Sequence, residues 1–529
     1  MLHSLQSRGG MVTAPHHLAA QAGAAVLREG GNAVEAMVAA AAAIAVVYPH
    51  MNGLGGDGFW LIHTPGTAAP VAVRACGGAA QAADAAFYQA HGDAAIPTRG
   101  PRAALTVAGA IGGWAEALEV ARAWGGKPLP LARLLEDAIR HAREGVPITT
   151  SQVELTRAKW AELEHVPGFA AAFAPEGQPH RGDTLRQPRT AATLQRLAEA
   201  GLHDFYRGDL ARSMARDLQA LGSPLALADL EGWHAQQVAP LSVQLSAGRV
   251  FNQPPPTQGV SSLAILGLFD RLGVGQAEGF DHVHGLVEST KRAFAWRNKH
   301  VGDPAYMRAD PAAFLQADSL DAEGARIDKA RAAPWPEPTE PGDTVWMGAA
   351  DAQGNVVSYI QSIYWEFGSG IVLPETGLHW QNRGASFTLG AGPNQLAPGR
   401  LPFHTLNPAL AHLKDGRVLA YGTMGGEGQP QTQAAVFTRH VLFGQDMQAA
   451  VTAPRWLLGR TWGDNSTNLK LESRADPALV ERLRAAGHDV QMVGAFEDMM
   501  GHAGAVAFHP DGRIEGATDP RADGVCAAV

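Results

Sequence analysis

Cysteine is almost missing from this chain: Cys76 and Cys526 are the only two in 529 residues. That excludes a disulfide framework and fits a reducing compartment. Basic blocks are missing as well. With 42 Lys and Arg against 51 Asp and Glu the net charge is −9, which excludes nucleic acid and anionic membrane as expected partners. The most apolar run, Ala39 to Val47, falls far short of the roughly 20 residues that span a bilayer. The opening residues Met1 to Gly10 contain no apolar signal-like core, so a cytoplasmic location is expected. No H-E-x-x-H occurs, and His282-Val283-His284 lacks helical ligand spacing, so no metal is expected. The lack of G-x-S-x-G argues against a serine hydrolase. No internal repeat is present.

What the chain does have is apolar mass. It is 46% hydrophobic and 18% charged, enough for a large core and for up to about three domains. His17 to Glu29 reads as a helix stopped by Gly30-Gly31. Asn32 and Glu35 have capping-box spacing for a second helix to Val47, apolar on nearly every face and hence central. Gly53-Leu54-Gly55-Gly56-Asp57-Gly58 matches G-x-G-x-x-G, but the order is helix, loop, strand, with the strand at Phe59 to His63. A dinucleotide site requires strand, loop, helix, so no cofactor is expected. Leu129 to Glu144, Ala191 to Ala200 and Val283 to Lys299 read as helices. Val250 to Gln253, Val418 to Met424, Ala503 to His509 and Ile514 to Thr518 read as strands. One linker-like stretch, about Leu320 to Asp343, divides a helix-rich part from a strand-rich part.

That stretch ends in Pro341-Gly342-Asp343-Thr344-Val345-Trp346. A polar, proline-rich approach meets an apolar strand at Thr344, and Asp351-Ala352-Gln353-Gly354 turns it back into Val356 to Ser362. Thr344 is thus reachable on its N-terminal side and held on its C-terminal side. A hydrolase that cuts itself before its nucleophile needs that geometry, because the freed amine then serves the threonine hydroxyl as base. Alone, these residues equally describe a threonine that starts a strand.

Blocks along the whole chain resemble the γ-glutamyltransferase family of N-terminal-nucleophile hydrolases. They include Ala20-Gln21-Ala22-Gly23, Gly30 to Val34, Pro49-His50 with Gly53, Gly55 and Gly56, Phe205-Tyr206-Arg207-Gly208, and Pro254 to Gly259. Further on come Gly302-Asp303-Pro304, Phe367-Gly368-Ser369-Gly370, Gly425-Gly426, Leu471-Glu472-Ser473-Arg474 and Gly516 to Arg521. The resemblance implies an α+β fold, a four-layer αββα sandwich made as one precursor. A cut between Asp343 and Thr344 would leave a large chain, 1–343, and a small one of 529 − 343 = 186 residues, and a dimer of such two-chain units stays open. It also implies a small-molecule amide carrying a carboxylate as substrate.

Carried over by position, the nucleophile falls on Thr344, the oxyanion-hole glycines on Gly425 and Gly426, and a supporting hydroxyl on Ser362. The carboxylate-binding arginine falls on Arg74, across a two-residue gap. Where the family holds the glutamyl group and its ammonium, this chain has Tyr364, Arg383 and Ser386, with Asn382 kept, and the family's serine pair becomes His404-Thr405. A carboxylate has been lost and a guanidinium gained, which suits an anion better than an ammonium. Gly342 to Gly348 and Phe403 to Pro408 resemble the oxamate amidohydrolase branch of bacterial purine and ureide breakdown. The expectation is an amidohydrolase converting oxamate to oxalate and ammonia. The alternatives are a γ-glutamyl hydrolase or transferase, and an unprocessed inactive relative that binds a small carboxylate. Plainer roles stand beside these: Gly425-Gly426 as a tight turn, Arg74 as a surface charge, His404 as packing, Tyr364 and Trp365 as core, and Cys76 as a buried apolar residue.

Overall fold

The computed structural model describes residues 3–335, 343–459 and 467–529, with backbone alone at Asp343. Two seven-stranded sheets form its centre. The first runs, edge to edge, Val525–Ala528, Gly10–Ala14, Asp343–Asp351, Val356–Tyr364, Asp57–His63, Val71–Ala75 and Gln236–Val238. The second runs Leu5–Ser7, Ile514–Thr518, Gly504–Phe508, Val418–Gly422, Ala409–Leu413, Gly248–Asn252 and Leu241–Leu245. Every neighbouring pair is antiparallel.

Three separate apolar cores show how the layers stack. One lies between the first sheet and its helices and contains Met37, Ile44, Trp60, Val345, Met347 and Tyr359. A second joins the other sheet to the helices Gly259–Leu272, Phe280–His300 and Gln429–Phe437. The third lies between the sheets and holds Phe59, Leu61, Trp346, Ile360, Phe251, Leu410 and Val506. Three cores separate four layers, so the fold is the expected αββα sandwich.

The local sequence accounts for the central pieces. The Asn32 side chain accepts from Val34 and Glu35 N–H at 3.0 Å, and Glu35 accepts from Asn32 N–H at 2.9 Å. The box closes the start of helix Ala33–Val47, every residue of which is buried. Alternation in Asp343–Asp351 sends Val345, Met347 and Ala349 to the helix side and Trp346 and Ala350 between the sheets. Across that gap the chain supplies glycine. A Cβ on Gly422 or Gly504 of the facing sheet, or on Gly348 beside it, would strike the Trp346 ring. The indole N–H donates to Ser358 Oγ at 3.0 Å, so this ring wedges the sheets two residues after Thr344.

One expectation is corrected. The connection is not structureless from Leu320: helix Ala317–Gly324 contains it, and Leu320 is 1% exposed in the second helix-side core. The chain then stays tied down, Ala332 N–H donating to Ala486 O at 2.8 Å and Lys291 Nζ to Ala333 O at 2.6 Å. The rest of the expected linker, 336–342, lies outside the described residues. Most of the helices precede Thr344, and each sheet takes strands from both sides of it. Among the described residues no helix is long and apolar enough to cross a membrane.

Trp346→Ala should cost about 3–5 kcal/mol by opening a cavity in the inter-sheet core. Gly504→Ala should also destabilise, because the added methyl displaces the ring. Denaturant unfolding of both variants checks this; an unaltered midpoint for Gly504→Ala would remove the wedge.

Candidate active site

Thr344 lies in the third strand of the first sheet, fully buried. The register with Val356–Tyr364 shifts there: Asp343 pairs with Tyr364 but Val345 with Gln361, so Ser362 and Ile363 together oppose Thr344. Bulges of this kind re-aim side chains beside functional sites. Strand alternation puts Thr344 on the Trp346 side, facing the second sheet. Ser362 shares that face with Ile360, Asp57 with Phe59, and Arg74 with Ala72. Ser362 pairs directly with Asp57, which makes Thr344, Ser362 and Asp57 a row across three adjacent strands. Ser362 Oγ accepts from Tyr364 N–H at 2.8 Å. Tyr364 itself has φ +82°, a left-handed conformation costly for an aromatic residue.

The second sheet supplies the facing wall. Strand Val418–Gly422 runs into Gly425 (φ +113°) and Gly426 (φ +53°) at the start of a short 3₁₀ turn. Only glycine adopts two such conformations in succession without strain. Gln258 pins this loop, its Nε2 donating to Gly426 O at 2.8 Å and to Thr405 O at 2.7 Å. Arg297 holds Gln258 Oε1 at 2.8 Å and Glu427 at 2.7 Å. Sequence reading noted the Pro254 to Gly259 run without seeing Gln258; nothing local in a buried glutamine announces that it ties two distant loops.

His404 is pinned through its backbone to Pro256 O and Gln258 N at 2.9 Å each. Its ring is fully buried, edge-on to Phe59 at 5.0 Å, and among the described residues neither ring nitrogen has a hydrogen-bond partner. Burial above all, and then the positive charges of Arg383 and Arg74, hold its pKa well below the usual histidine value. Asp57 lies 3.6 Å from His404 Nε2, too far for a hydrogen bond. Its Oδ1 accepts from Gly109 N–H at 3.0 Å. Burial raises the Asp57 carboxyl to about 7, against the opposing pull of Arg383 and several hydrogen bonds. Both partners are driven toward their neutral forms, so this contact is not an ion pair. Asp57 escaped sequence reading because it sits inside a glycine run; its meaning comes from pairing with Ser362, a contact between distant segments.

The two arginines differ. Arg383 is 1% exposed and its guanidinium stacks 3.9 Å from the Tyr364 ring centroid, beside the bulge. Arg74 is half-buried, three strands from Thr344, and donates to Gln236. At about 4.8 Å per strand that separates the backbones by roughly 14 Å. Asn382 has both ends of its amide on backbone, accepting from Trp365 N–H at 3.1 Å and donating to Thr98 O at 2.9 Å. Ser386 Oγ donates to Phe403 O at 3.3 Å. Thr405 is buried with no partner for its hydroxyl among the described residues. Cys76 is buried, and burial pushes its thiol far above the ordinary value, which fits the apolar role and not a nucleophile.

Among the described residues one group could hold a metal. His284, Glu288 and His488 bring ligand atoms within 4.8 Å of one another, and the i,i+4 pair on helix Phe280–His300 was overlooked in favour of His282-Val283-His284. Their atoms are already engaged: His284 Nδ1 lies 2.8 Å from His488 Nε2, and Lys291 Nζ is 2.7 Å from Glu288. With an ammonium in that position, the group anchors residues 328–333 through Asp328 O and Ala333 N–H.

The site therefore joins a strand-opening threonine, a glycine loop on the opposite sheet, and a positive, poorly hydrated wall. The sequence pattern of Gamma-glutamyltranspeptidase matches residues 19–529. The chain belongs to the gamma-glutamyltranspeptidase family. It is 54% identical over 525 residues to an oxamate amidohydrolase proenzyme of Klebsiella pneumoniae, covering 98% of each chain. It is 37% identical to the glutathione hydrolase-like YwrD proenzyme of Bacillus subtilis, again over 98% of each. A cephalosporin acylase structure from Bacillus halodurans superposes with TM-score 0.91 at 33% identity, over 99% of this chain and 97% of that one. The family match begins at residue 19, and the acylase superposition runs over nearly the whole chain.

The Asp57 carboxyl gives a signed pH effect. Its folded pKa lies above the free value of 3.8, so its contribution to stability is complete below about pH 4 and is lost as pH rises through about 7. Asp57→Asn has no such loss. Thermal midpoints of both proteins from pH 5 to 8 should show the variant gaining on wild type as pH rises; parallel curves would mean that Asp57 does not titrate there.

Proposed function

We propose that this protein is an amidohydrolase whose nucleophile is the Thr344 hydroxyl, released by a cut between Asp343 and Thr344. The proenzyme relatives support the cut, and the family places the enzyme among hydrolases of C–N amide bonds. The substrate is a short amide bearing a carboxylate and no ammonium, with oxamate the best fit. The observation that carries this is the wall of Arg383 and Arg74, on which Asp57, the acid beside Ser362, is driven toward neutrality. Such a wall favours an anion over an ammonium.

In the reaction, Thr344 Oγ1 attacks the amide carbonyl while the freed α-amine takes its proton. The charge that develops on oxygen is met by N–H groups of Gly425 and Gly426, a kind of donor worth roughly 10²–10³ in rate. The amine returns the proton to the leaving nitrogen and ammonia departs. Water then attacks the acyl-enzyme, releasing oxalate and restoring Thr344. Arg383, nearer the bulge, is assigned the substrate carboxylate, with Arg74 supporting it from farther off. The sequence reading ranked them the other way.

A γ-glutamyl substrate is the second reading, supported by the glutathione hydrolase names of several relatives. Ammonia release from oxamate and aniline release from a γ-glutamyl anilide separate the two; faster turnover of the anilide would overturn the oxamate reading.

Thr344→Ala should remain one chain by intact mass and be inactive, while wild type shows two fragments with the smaller starting at Thr344. A variant that still splits there rules out Thr344 as the processing nucleophile. Arg74→Ala and Arg383→Ala should each lower kcat/KM by about 1.5–3 kcal/mol, about ten- to a hundredfold, with the larger loss at Arg383. Neither should prevent self-cleavage by intact mass, and equal activity in wild type and both variants would sink the carboxylate role.

A further inference from the structure

Two consecutive glycines leave the loop at Gly425 and Gly426 a wide choice of backbone conformations. Donors that stabilise a developing oxyanion must instead stand in place before the reaction. The loop meets that demand through its carbonyls. Met424 O accepts from Thr423 Oγ1, Gly425 O from Gly428 N–H and Gly426 O from Gln258 Nε2, each at 2.8 Å. Among the described residues the N–H groups of Gly425 and Gly426 donate to nothing. In a trans peptide C=O and N–H point opposite ways, so a carbonyl tied on one side leaves the following N–H directed to the other.

The three anchors are not equivalent. Thr423 and Gly428 belong to the loop itself and travel with it. Gln258 lies 168 residues from Gly426 in sequence, on the other side of the proposed cut, and it refers the loop to the rest of the fold. The same amide group donates to Thr405 O at 2.7 Å, and Gln258 N–H donates to His404 O at 2.9 Å. One buried side chain therefore sets the glycine loop against the His404-Thr405 segment.

The chemistry of the position admits little besides glutamine. Two carbonyl oxygens face Nε2, and the Arg297 guanidinium faces Oε1 at 2.8 Å. Turned over, the amide would set oxygen against both carbonyls and its NH₂ against a cation. Arg297 is itself buried and held by Asn298 Oδ1 and Glu427, so the amide has one direction. We propose that Gln258 is a positioning residue for the reaction: it fixes the glycine loop so that the oxyanion donors stand ready, with Arg297 fixing Gln258. It touches no substrate. The proposal rests on the oxyanion role assigned above to Gly425 and Gly426.

Gln258→Glu, nearly isosteric, brings a second oxygen to the two carbonyls in place of the NH₂ that binds them. Gln258→Asn keeps the amide but shortens its reach by one methylene, and serves if the first variant fails to fold. Ammonia release from oxamate should show kcat lowered about ten- to a hundredfold with KM within about twofold, because Arg383 and Arg74 are untouched. If wild type turns over a γ-glutamyl anilide in place of oxamate, the same comparison is read on aniline release. Calorimetric titration with oxalate should find a full complement of sites at wild-type affinity, which separates a slower enzyme from a smaller folded fraction. A crystal structure of the variant should show Gly426 O displaced. An unmoved Gly426 O, or a loss that appears in KM or in the number of oxalate sites, would overturn the role of Gln258. Gly426 O displaced with kcat unaltered would instead overturn the oxyanion role on which this one rests.

Discussion

The Trp346 ring sets the distance between the two sheets at the place where Thr344 needs it. Gly348, Gly422 and Gly504 give up their side-chain space to one indole, so the sheets approach around a rigid spacer instead of a pair of interdigitating aliphatics. Gly422 ends the strand that leads into Gly425 and Gly426, and Trp346 follows Thr344 by two residues. Thr344 and the strand that leads into the glycine loop are thereby indexed to the same ring. Their alignment is a packing property.

Around that fixed point burial decides the charge states. Asp57 and His404 lie close enough for an ion pair, yet each is more expensive to charge than its partner can repay. The result is a wall of Arg383 and Arg74 on which Asp57 is driven toward neutrality, produced by desolvation as much as by the choice of residues. Gln258 and Arg297 provide the mechanical support behind it, joining the glycine loop, the His404-Thr405 segment and Glu427 into one buried network.

The regular elements were legible because their signals are local. The Asn32–Glu35 box, the uninterrupted apolar helix to Val47 and the strands at Ala503 to His509 and Ile514 to Thr518 depend on neighbours in sequence, and the structure places them within a residue or two. The four layers were legible only through the family resemblance, since nothing in the strands states which sheet each joins. The miss at Leu320 has a local cause: a short polar helix with one buried leucine looks like linker when the apolar surface it covers is far away in sequence. Asp57, Gln258 and the His284–Glu288–His488 group were illegible for a related reason. Each takes its role from strands or loops more than a hundred residues apart, and a single chain without aligned relatives carries no trace of such pairing.

The interleaving of strands from both sides of Thr344 bears on the history of each molecule. In the first sheet Gly10–Ala14 lies between Val525–Ala528 and Asp343–Asp351, so an N-terminal segment is enclosed by two C-terminal ones. A cut before Thr344 would leave neither product with a complete sheet. Unfolding would then be dissociation, and recovery would require two polypeptides to find each other, at a rate set by concentration. The uncut chain folds with its parts tethered, and that advantage is spent once. Cleavage would make the mature enzyme durable through kinetics, a structure assembled under conditions that it cannot itself recreate.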